Sequence, residues 1–158
     1  MRYVISMVLL FLTSSLLAAT SWAHCQIPCG IYTDEMRFDM ISEHIDTVEK
    51  SMKQIQELSA ANPVNYNQIV RWVNNKEDHA QEIQDIADHY FLTQRVKPVA
   101  ESDEGYDDYI ASLKLLHGIL VAAMKTKQTT DLEHVAALRQ LSADYKALYI
   151  KQHGHTHN

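Results

Sequence analysis

The sequence contains few of the residues that mark turns in β folds or cross-link small secreted domains. Its 158 residues include only four glycines, three prolines and two cysteines. Scarce glycine and proline disfavour a turn-rich β architecture, and two cysteines are too few for a disulfide framework in a chain of this length. These shortages favour a helical fold that is held together by its own hydrophobic core.

Positive charge is also in short supply. Fourteen Lys and Arg residues are set against 20 Asp and Glu residues, which gives a net charge of −6 at pH 7. Nucleic acids and anionic membranes attract proteins that carry a basic face. We therefore expect neither of them as a partner.

The chain begins with an apolar leader. Arg2 precedes an apolar stretch over residues 4–17, and the small residues Ser21 and Ala23 fit the −3 and −1 positions of a signal-peptidase site. A membrane-spanning helix needs about 20 uninterrupted apolar residues, whereas Ser and Thr interrupt this leader. We predict that residues 1–23 are a cleaved signal peptide. The mature protein would then be secreted or periplasmic, without membrane attachment, and would begin at His24 with a free α-amine.

Apolar residues recur at steps of three and four in four later segments, which is the pattern of amphipathic helices. The predicted helices cover residues 33–59, 66–92 and 104–127, and a fourth begins at residue 130. Thr33 suits the N-cap of the first helix, with Asp34 and Glu35 in its first turn. Thr130 and Glu133 match a capping box for the fourth. Four such helices with mostly short loops predict an all-α fold, an antiparallel four-helix bundle over residues 33–150.

Two metal centres that are common in helical bundles do not fit this sequence. A ferritin-like di-metal site needs Glu-x-x-His pairs on two helices, and no Glu in the chain has a His three positions later. Covalent haem needs Cys-x-x-Cys-His, but three residues separate Cys25 from Cys29 and no His follows Cys29. A single helical histidine such as His117 could ligate haem without a covalent bond, although an ordinary packing or surface role explains it better.

Both cysteines lie in the stretch HCQIPCGIY, residues 24–32, directly after the predicted cleavage site. Once His24 is the N-terminus, its α-amine, the Cys25 amide nitrogen and the two cysteine thiolates can bind one metal ion. The His24 imidazole can add an axial ligand, and Pro28 stiffens the loop before Cys29. Two thiolates and two nitrogens in a plane are a square-planar set, which Ni(II) and Cu(II) prefer and zinc does not. This hook is therefore a candidate one-electron redox centre.

The alternative is a structural disulfide between Cys25 and Cys29. An oxidising compartment would permit such a bond, and the spacing of the two cysteines also allows it. The protein would then be a secreted helical binding protein without a redox metal.

The stretch HCQIPCGIY resembles the HCxxPCGxY nickel hook of nickel-containing superoxide dismutases, and every fixed position of that motif is filled. Members of this family are homohexameric four-helix bundles that convert superoxide to O2 and H2O2. The resemblance, which extends over residues 24–149, implies one nickel ion per chain that alternates between Ni2+ and Ni3+. It implies that His24, Cys25 and Cys29 bind this nickel. It also implies that Tyr32 is a catalytic residue over the open axial face, where its hydroxyl excludes larger anions.

The resemblance suggests two further site residues. Family members hold the axial imidazole with a carboxylate from helix one and a basic residue from helix two, and Asp39 and His79 are our candidates for these roles. A histidine in place of a permanently charged base would make this contact sensitive to pH. The net negative charge is unfavourable for attracting superoxide, so local cations such as Arg37, Lys76, Lys114 or Lys125 are candidates to focus the field around the hook.

The C-terminal segment, residues 151–158, contains three alternating histidines, His153, His155 and His157. One interpretation is a weak metal-binding tail. The other is a polar chain end without a function.

Overall fold

The structure is a computed structural model, and it describes residues 33–154. The predicted signal peptide (1–23), the hook (24–32) and the end of the tail (155–158) lie outside the described residues. The predictions made for those three segments therefore stay predictions.

Residues 33–154 fold into four helices, and this part of the chain has no β-strand. Helix α1 covers Asp34–Ala60, α2 covers Tyr66–Asp85, α3 covers Tyr106–Gln128 and α4 covers Leu132–His153. Helix α2 continues directly into a π-helical segment, Ile86–Arg95. Helix α1 packs against α2 and α4, and α3 packs against the same two helices. The predicted all-α four-helix bundle is confirmed.

The helix boundaries follow from local chemistry. The Met36 backbone N–H donates to the Thr33 side-chain oxygen at 3.2 Å, so Thr33 caps α1 as predicted. The predicted capping box at Thr130 is wrong, because α4 begins two residues later and the Glu133 N–H donates to the Asp131 carboxylate at 3.0 Å. A carboxylate at the N-cap also complements the positive end of the helix dipole, which favours Asp131 over the neighbouring hydroxyl.

The second helical region ends three residues later than predicted, because its last part is a π-helix. The Val96 N–H donates to the Phe91 carbonyl, five residues earlier, at 3.0 Å. Residues five apart in an α-helix point about 140° away from each other, whereas the wider turn of a π-helix brings them close to one side. The π segment can therefore aim Tyr90 and Arg95, which are five apart, at a common partner.

A single hydrophobic core fills the bundle, and each helix contributes to it at the predicted spacing. Aromatic side chains are concentrated at the end where α1 begins, the π segment ends and α4 ends. Their ring centroids lie 4.5 to 6.1 Å apart in pairs. The members of this group are Phe38, Tyr90, Phe91, Tyr145 and Tyr149. None of the helices in residues 33–154 is long and apolar enough to cross a membrane.

Candidate metal centre

The hook connects directly to the start of α1. Tyr32, its last residue, precedes the N-cap Thr33. The described residues do not include the predicted ligands His24, Cys25 and Cys29, or Tyr32. The structure therefore describes only the bundle to which the hook is attached. Both cysteines of the chain belong to the hook. Thiolate donors for a metal can therefore come only from this segment. Within residues 33–154 no three His, Asp or Glu side chains are grouped so that they could hold a metal ion.

A carboxylate in the first turn of α1 is the centre of a hydrogen-bond cluster. Asp34 Oδ1 accepts hydrogen bonds from the Tyr90 hydroxyl and from Arg95 Nε, the latter at 2.8 Å. Its other oxygen, Oδ2, accepts a hydrogen bond from the Tyr149 hydroxyl at 2.6 Å. Arg95 Nη2 in turn donates to the Tyr90 hydroxyl at 2.7 Å. These four residues, which we call the Asp34 cluster, join α1, the π segment and α4.

The charges of the Asp34 cluster are fixed at neutral pH. Burial alone would raise the pKa of Asp34, but hydrogen bonds from Tyr149, Tyr90 and Arg95 outweigh it, so the pKa is lowered. Burial, together with the hydrogen bond to Asp34, raises the pKa of both tyrosines. Burial would lower the pKa of Arg95, but its bonds to Tyr90 and Asp34 raise it. The cluster therefore holds one carboxylate, one guanidinium and two neutral phenols.

Two guanidinium groups lie against the ring of Tyr90, near the start of α1. The Cζ atoms of Arg37 and Arg95 each lie 4.8 Å from the centroid of this ring. Arg37 is buried. Of the cations that the sequence suggested as field-focusing groups, Arg37 follows the last residue of the hook by five positions, whereas Lys76 contacts the end of α3.

Sequence reasoning did not find the Asp34 cluster. The N-terminal dipole of α1 already explained an acidic residue at position 34. Its partners lie 56, 61 and 115 residues away along the chain. No spacing pattern links them to Asp34, because the fold alone brings them together.

The structure gives the two candidates for holding the axial imidazole separate partners. Asp39 is exposed, and its carboxylate lies 3.5 Å from Lys146 Nζ on α4. His79 Nδ1 lies 2.7 Å from Nδ1 of His44, which joins α2 to α1. Asp39 and His79 thus contact different helices in this structure. Because the hook is outside the described residues, their proposed contact with His24 stays a prediction.

The His44–His79 pair is a part-buried titratable contact between α1 and α2. Burial lowers the pKa of His44, and the neighbouring His79 lowers it further, against the opposing effect of Glu82 and Glu43. His44 Nε2 is buried and has no hydrogen-bond partner among the described residues. The pair can share one proton at short range, but a second proton would bring two positive charges together. The lowered pKa of His44 therefore depends in part on its contact with His79.

A cavity of about 310 Å³ lies beside the Asp34 cluster, between the π segment, the start of α3 and the end of α4. Tyr145 and Tyr149 contribute aromatic surface to its wall. The cationic side chains of Arg95 and Lys97 also line it, together with the carboxylate of Asp108. This end of the bundle therefore combines cationic groups with the attachment point of the hook.

The described residues form a helical bundle, and both cysteines of the chain precede it in the sequence. A metal site with thiolate ligands would therefore lie on the segment before the bundle and not inside it. The family model of nickel-containing superoxide dismutases matches residues 19–153, which include the complete hook motif and all four helices. The chain therefore belongs to the nickel-containing superoxide dismutase family. It is an oxidoreductase with nickel as its cofactor and superoxide as its substrate. Searches of curated proteins and of solved structures returned no match.

Proposed function

We propose that this chain dismutates superoxide by one-electron cycling at its mature N-terminus, with His24, Cys25 and Cys29 as the residues that hold the nickel. Nickel held there would supply a one-electron acceptor and donor, alternating between Ni3+ and Ni2+, so that one superoxide would be oxidised to O2 and a second, together with two protons, would be reduced to H2O2. The single observation that carries the proposal is the family match across residues that contain the intact HCQIPCGIY motif.

The donor set of the hook suits this chemistry. Two thiolates, an amide nitrogen and an amine are strong donors, which stabilise the higher oxidation state better than oxygen ligands do. The amine is available only if no residue precedes His24, because a peptide bond would convert it into an amide. Function therefore depends on removal of residues 1–23, which is consistent with an exported, periplasmic or secreted protein.

Tyr32 is proposed to guard the site. It lies one residue before the N-cap of α1 and two before Asp34, whose carboxylate is tied to the bundle. Its backbone is therefore attached to a well-anchored turn. From there its hydroxyl can restrict access to small anions such as superoxide.

Cations at the attachment point of the hook help to attract the substrate anion. The chain as a whole is negative, so a local positive region is needed to guide superoxide. Arg37 and Arg95 flank Tyr90 at this end, and Lys97 is exposed on the neighbouring loop. The Asp34 carboxylate offsets the charge of Arg95, and the exposed Lys97 adds positive charge at this end.

Assembly and ligand roles form the rest of the proposal. A homohexamer is proposed because the family resemblance implies it. Asp39 and His79 are proposed to support the His24 imidazole in the loaded enzyme. The rival binding protein with a Cys25–Cys29 disulfide has no support from the family match.

The test compares two mature chains that differ by one residue, one beginning at His24 and one that retains Ala23. We expect about one nickel per chain and dismutase activity in the first. In the second we expect loss of activity and of tightly bound nickel. Cys25→Ser and Cys29→Ser in the first chain should also lose both, while far-UV circular dichroism should stay helical, because neither cysteine belongs to α1–α4. Full activity with Ala23 retained, or in either serine variant, would contradict the proposed ligand set.

A further inference from the structure

We infer that Asp34 is a positioning residue for the nickel hook, which it fixes by tying the first turn of α1 to the π segment and to α4. The inference rests on the proposed function, since it concerns how the hook is held.

The first turn of a helix is held weakly unless something ties it down. Its first N–H groups lack intrahelical partners, and chain termini open more easily than the core. In α1 the Thr33 cap satisfies one of these groups. The ligands lie 5 to 10 residues upstream of position 34, so any movement of this turn is passed on to the hook. A metal site needs its ligands held within about 0.5 Å of their working geometry.

Asp34 supplies the missing constraint through side chains of two other elements. Its two oxygens accept from three groups, and each donor is itself fixed. Tyr90 and Tyr149 are buried at 6% and 4% exposure within the aromatic group. Arg95 bonds to both Asp34 and Tyr90. The π segment is part of this arrangement, because it turns Tyr90 and Arg95 toward the same carboxylate.

The neighbouring residue Glu35 separates this role from a general charge effect. Both residues are acidic and both lie in the first turn of α1, so both favour the helix dipole. Glu35, however, is exposed and has no hydrogen-bond or ion-pair partner among the described residues. Loss of its charge removes only the dipole effect. Loss of the Asp34 charge removes the tie to the bundle as well.

The experiment uses the full mature chain beginning at His24 and compares Asp34→Asn with Glu35→Gln. The first readout is amide hydrogen exchange of residues 34–40 in the metal-free protein. The second is nickel affinity by chelator competition, together with the thiolate-to-nickel absorption band. We expect Asp34→Asn to speed exchange in this turn and weaken nickel binding, each by about tenfold. Glu35→Gln should change both by only about twofold, the size of the dipole effect at an exposed position.

Two further variants keep the test decisive if Asp34→Asn folds poorly. Tyr149→Phe removes one donor and keeps the ring in the aromatic group, so it should show the same pattern at a smaller size. Asp34→Glu keeps the charge and should recover part of the nickel affinity lost in Asp34→Asn.

Two results would overturn the inference. One is wild-type exchange over residues 34–40 and wild-type nickel affinity in both Asp34→Asn and Tyr149→Phe. The other is faster exchange spread evenly over all four helices, which would mark a general stability defect. Failure of the proposed function itself is distinguishable, because nickel would then bind equally well with Ala23 retained, while exchange in the metal-free chain would still report on Asp34.

Discussion

Each end of the bundle contains a charged side chain that takes part in several hydrogen bonds, but the partners differ between the two ends. At the hook end, the Asp34 carboxylate accepts from the side chains of Tyr90, Arg95 and Tyr149. At the far end, the buried ammonium of Lys76 donates to backbone carbonyls at the end of α3. The Thr126 carbonyl lies at 2.8 Å, and the Lys127 carbonyl accepts as well. The charge at one end is therefore satisfied by side chains from three elements. At the other end it is satisfied mainly by the backbone at the end of one helix, together with an ion pair between Lys76 and Glu77 at 3.2 Å.

Because their partners differ, we expect the two ends of the bundle to contribute to different properties of the protein. The last carbonyls of a helix lack intrahelical donors, so any α3 that ends at this place presents acceptors to Lys76, whatever its side chains. The Asp34 cluster exists only with a tyrosine, an arginine and a second tyrosine at three separated positions. We therefore expect changes at the far end to alter global stability, and changes at the hook end to alter the metal site as well.

The largest effect on stability is expected from Lys76→Met. Methionine keeps most of the apolar stem but removes the ammonium, which leaves the carbonyls at the end of α3 buried without a charged donor. We expect the free energy of unfolding to fall by about 3 kcal/mol, measured by urea unfolding of the metal-free mature chain.

The matched control for this change is Lys125→Met, at an exposed lysine in the last turn of α3. It should alter stability by less than about 0.5 kcal/mol. A Lys76→Met chain of wild-type stability but weakened nickel binding would reverse the assignment of the two ends.

The fold was largely predictable because its evidence is local. Apolar residues at helical spacing located all four helices, and Thr33 capped α1 as expected. The π segment was not predictable, since Ile86, Ala87 and Tyr90 keep a spacing that also suits an α-helix. The capping of α4 by Asp131 was missed, because Thr130, Asp131 and the nearby Thr129 all suit an N-cap.

The long-range contacts of the bundle were less predictable from the sequence than the hook itself. The hook is one continuous motif counted from an N-terminus, so nine adjacent residues identify it. Asp34 and Lys76 meet partners 50 or more residues away. Such contacts depend on the register of packed helices, which the pattern of apolar residues defines only to within a turn.

As the pH falls, the contact in the middle of the bundle should lose stability at a higher pH than the hook end does. The lowered pKa of Asp34 keeps its carboxylate charged in the native state, so its contribution to stability is present above the unfolded pKa of about 4 and lost only below it. His44 changes stability in the same direction as Asp34, but at a higher pH. Because the native pKa of His44 is lowered, the unfolded chain binds more protons as the pH falls below about 6.5.

We therefore expect the metal-free chain to lose stability between pH 7 and pH 5 through this pair. Stability should fall over this range because the unfolded chain takes up more protons there than the native chain does. Urea unfolding at a series of pH values should show a flatter profile for His44→Gln than for the wild type. His117→Gln, a change at an exposed histidine of α3, should keep the wild-type slope. An unchanged slope in His44→Gln would exclude the pair as the titrating contact.

The smallest effect is expected from Arg139→Gln, which tests whether burial or the number of ion pairs gives the Asp34 cluster its strength. Arg139 on α4 contacts two carboxylates of α1, Asp46 at 2.7 Å and Glu49 at 2.8 Å, but its side chain is 43% exposed. Exposed pairs of this kind contribute about 0.5 kcal/mol and are screened by salt. Arg95→Gln, at the half-buried partner of Asp34, should cost more in urea unfolding and should depend less on salt. Equal losses of unfolding free energy in the two variants would show that burial does not strengthen the ion pairs between α1 and its neighbours.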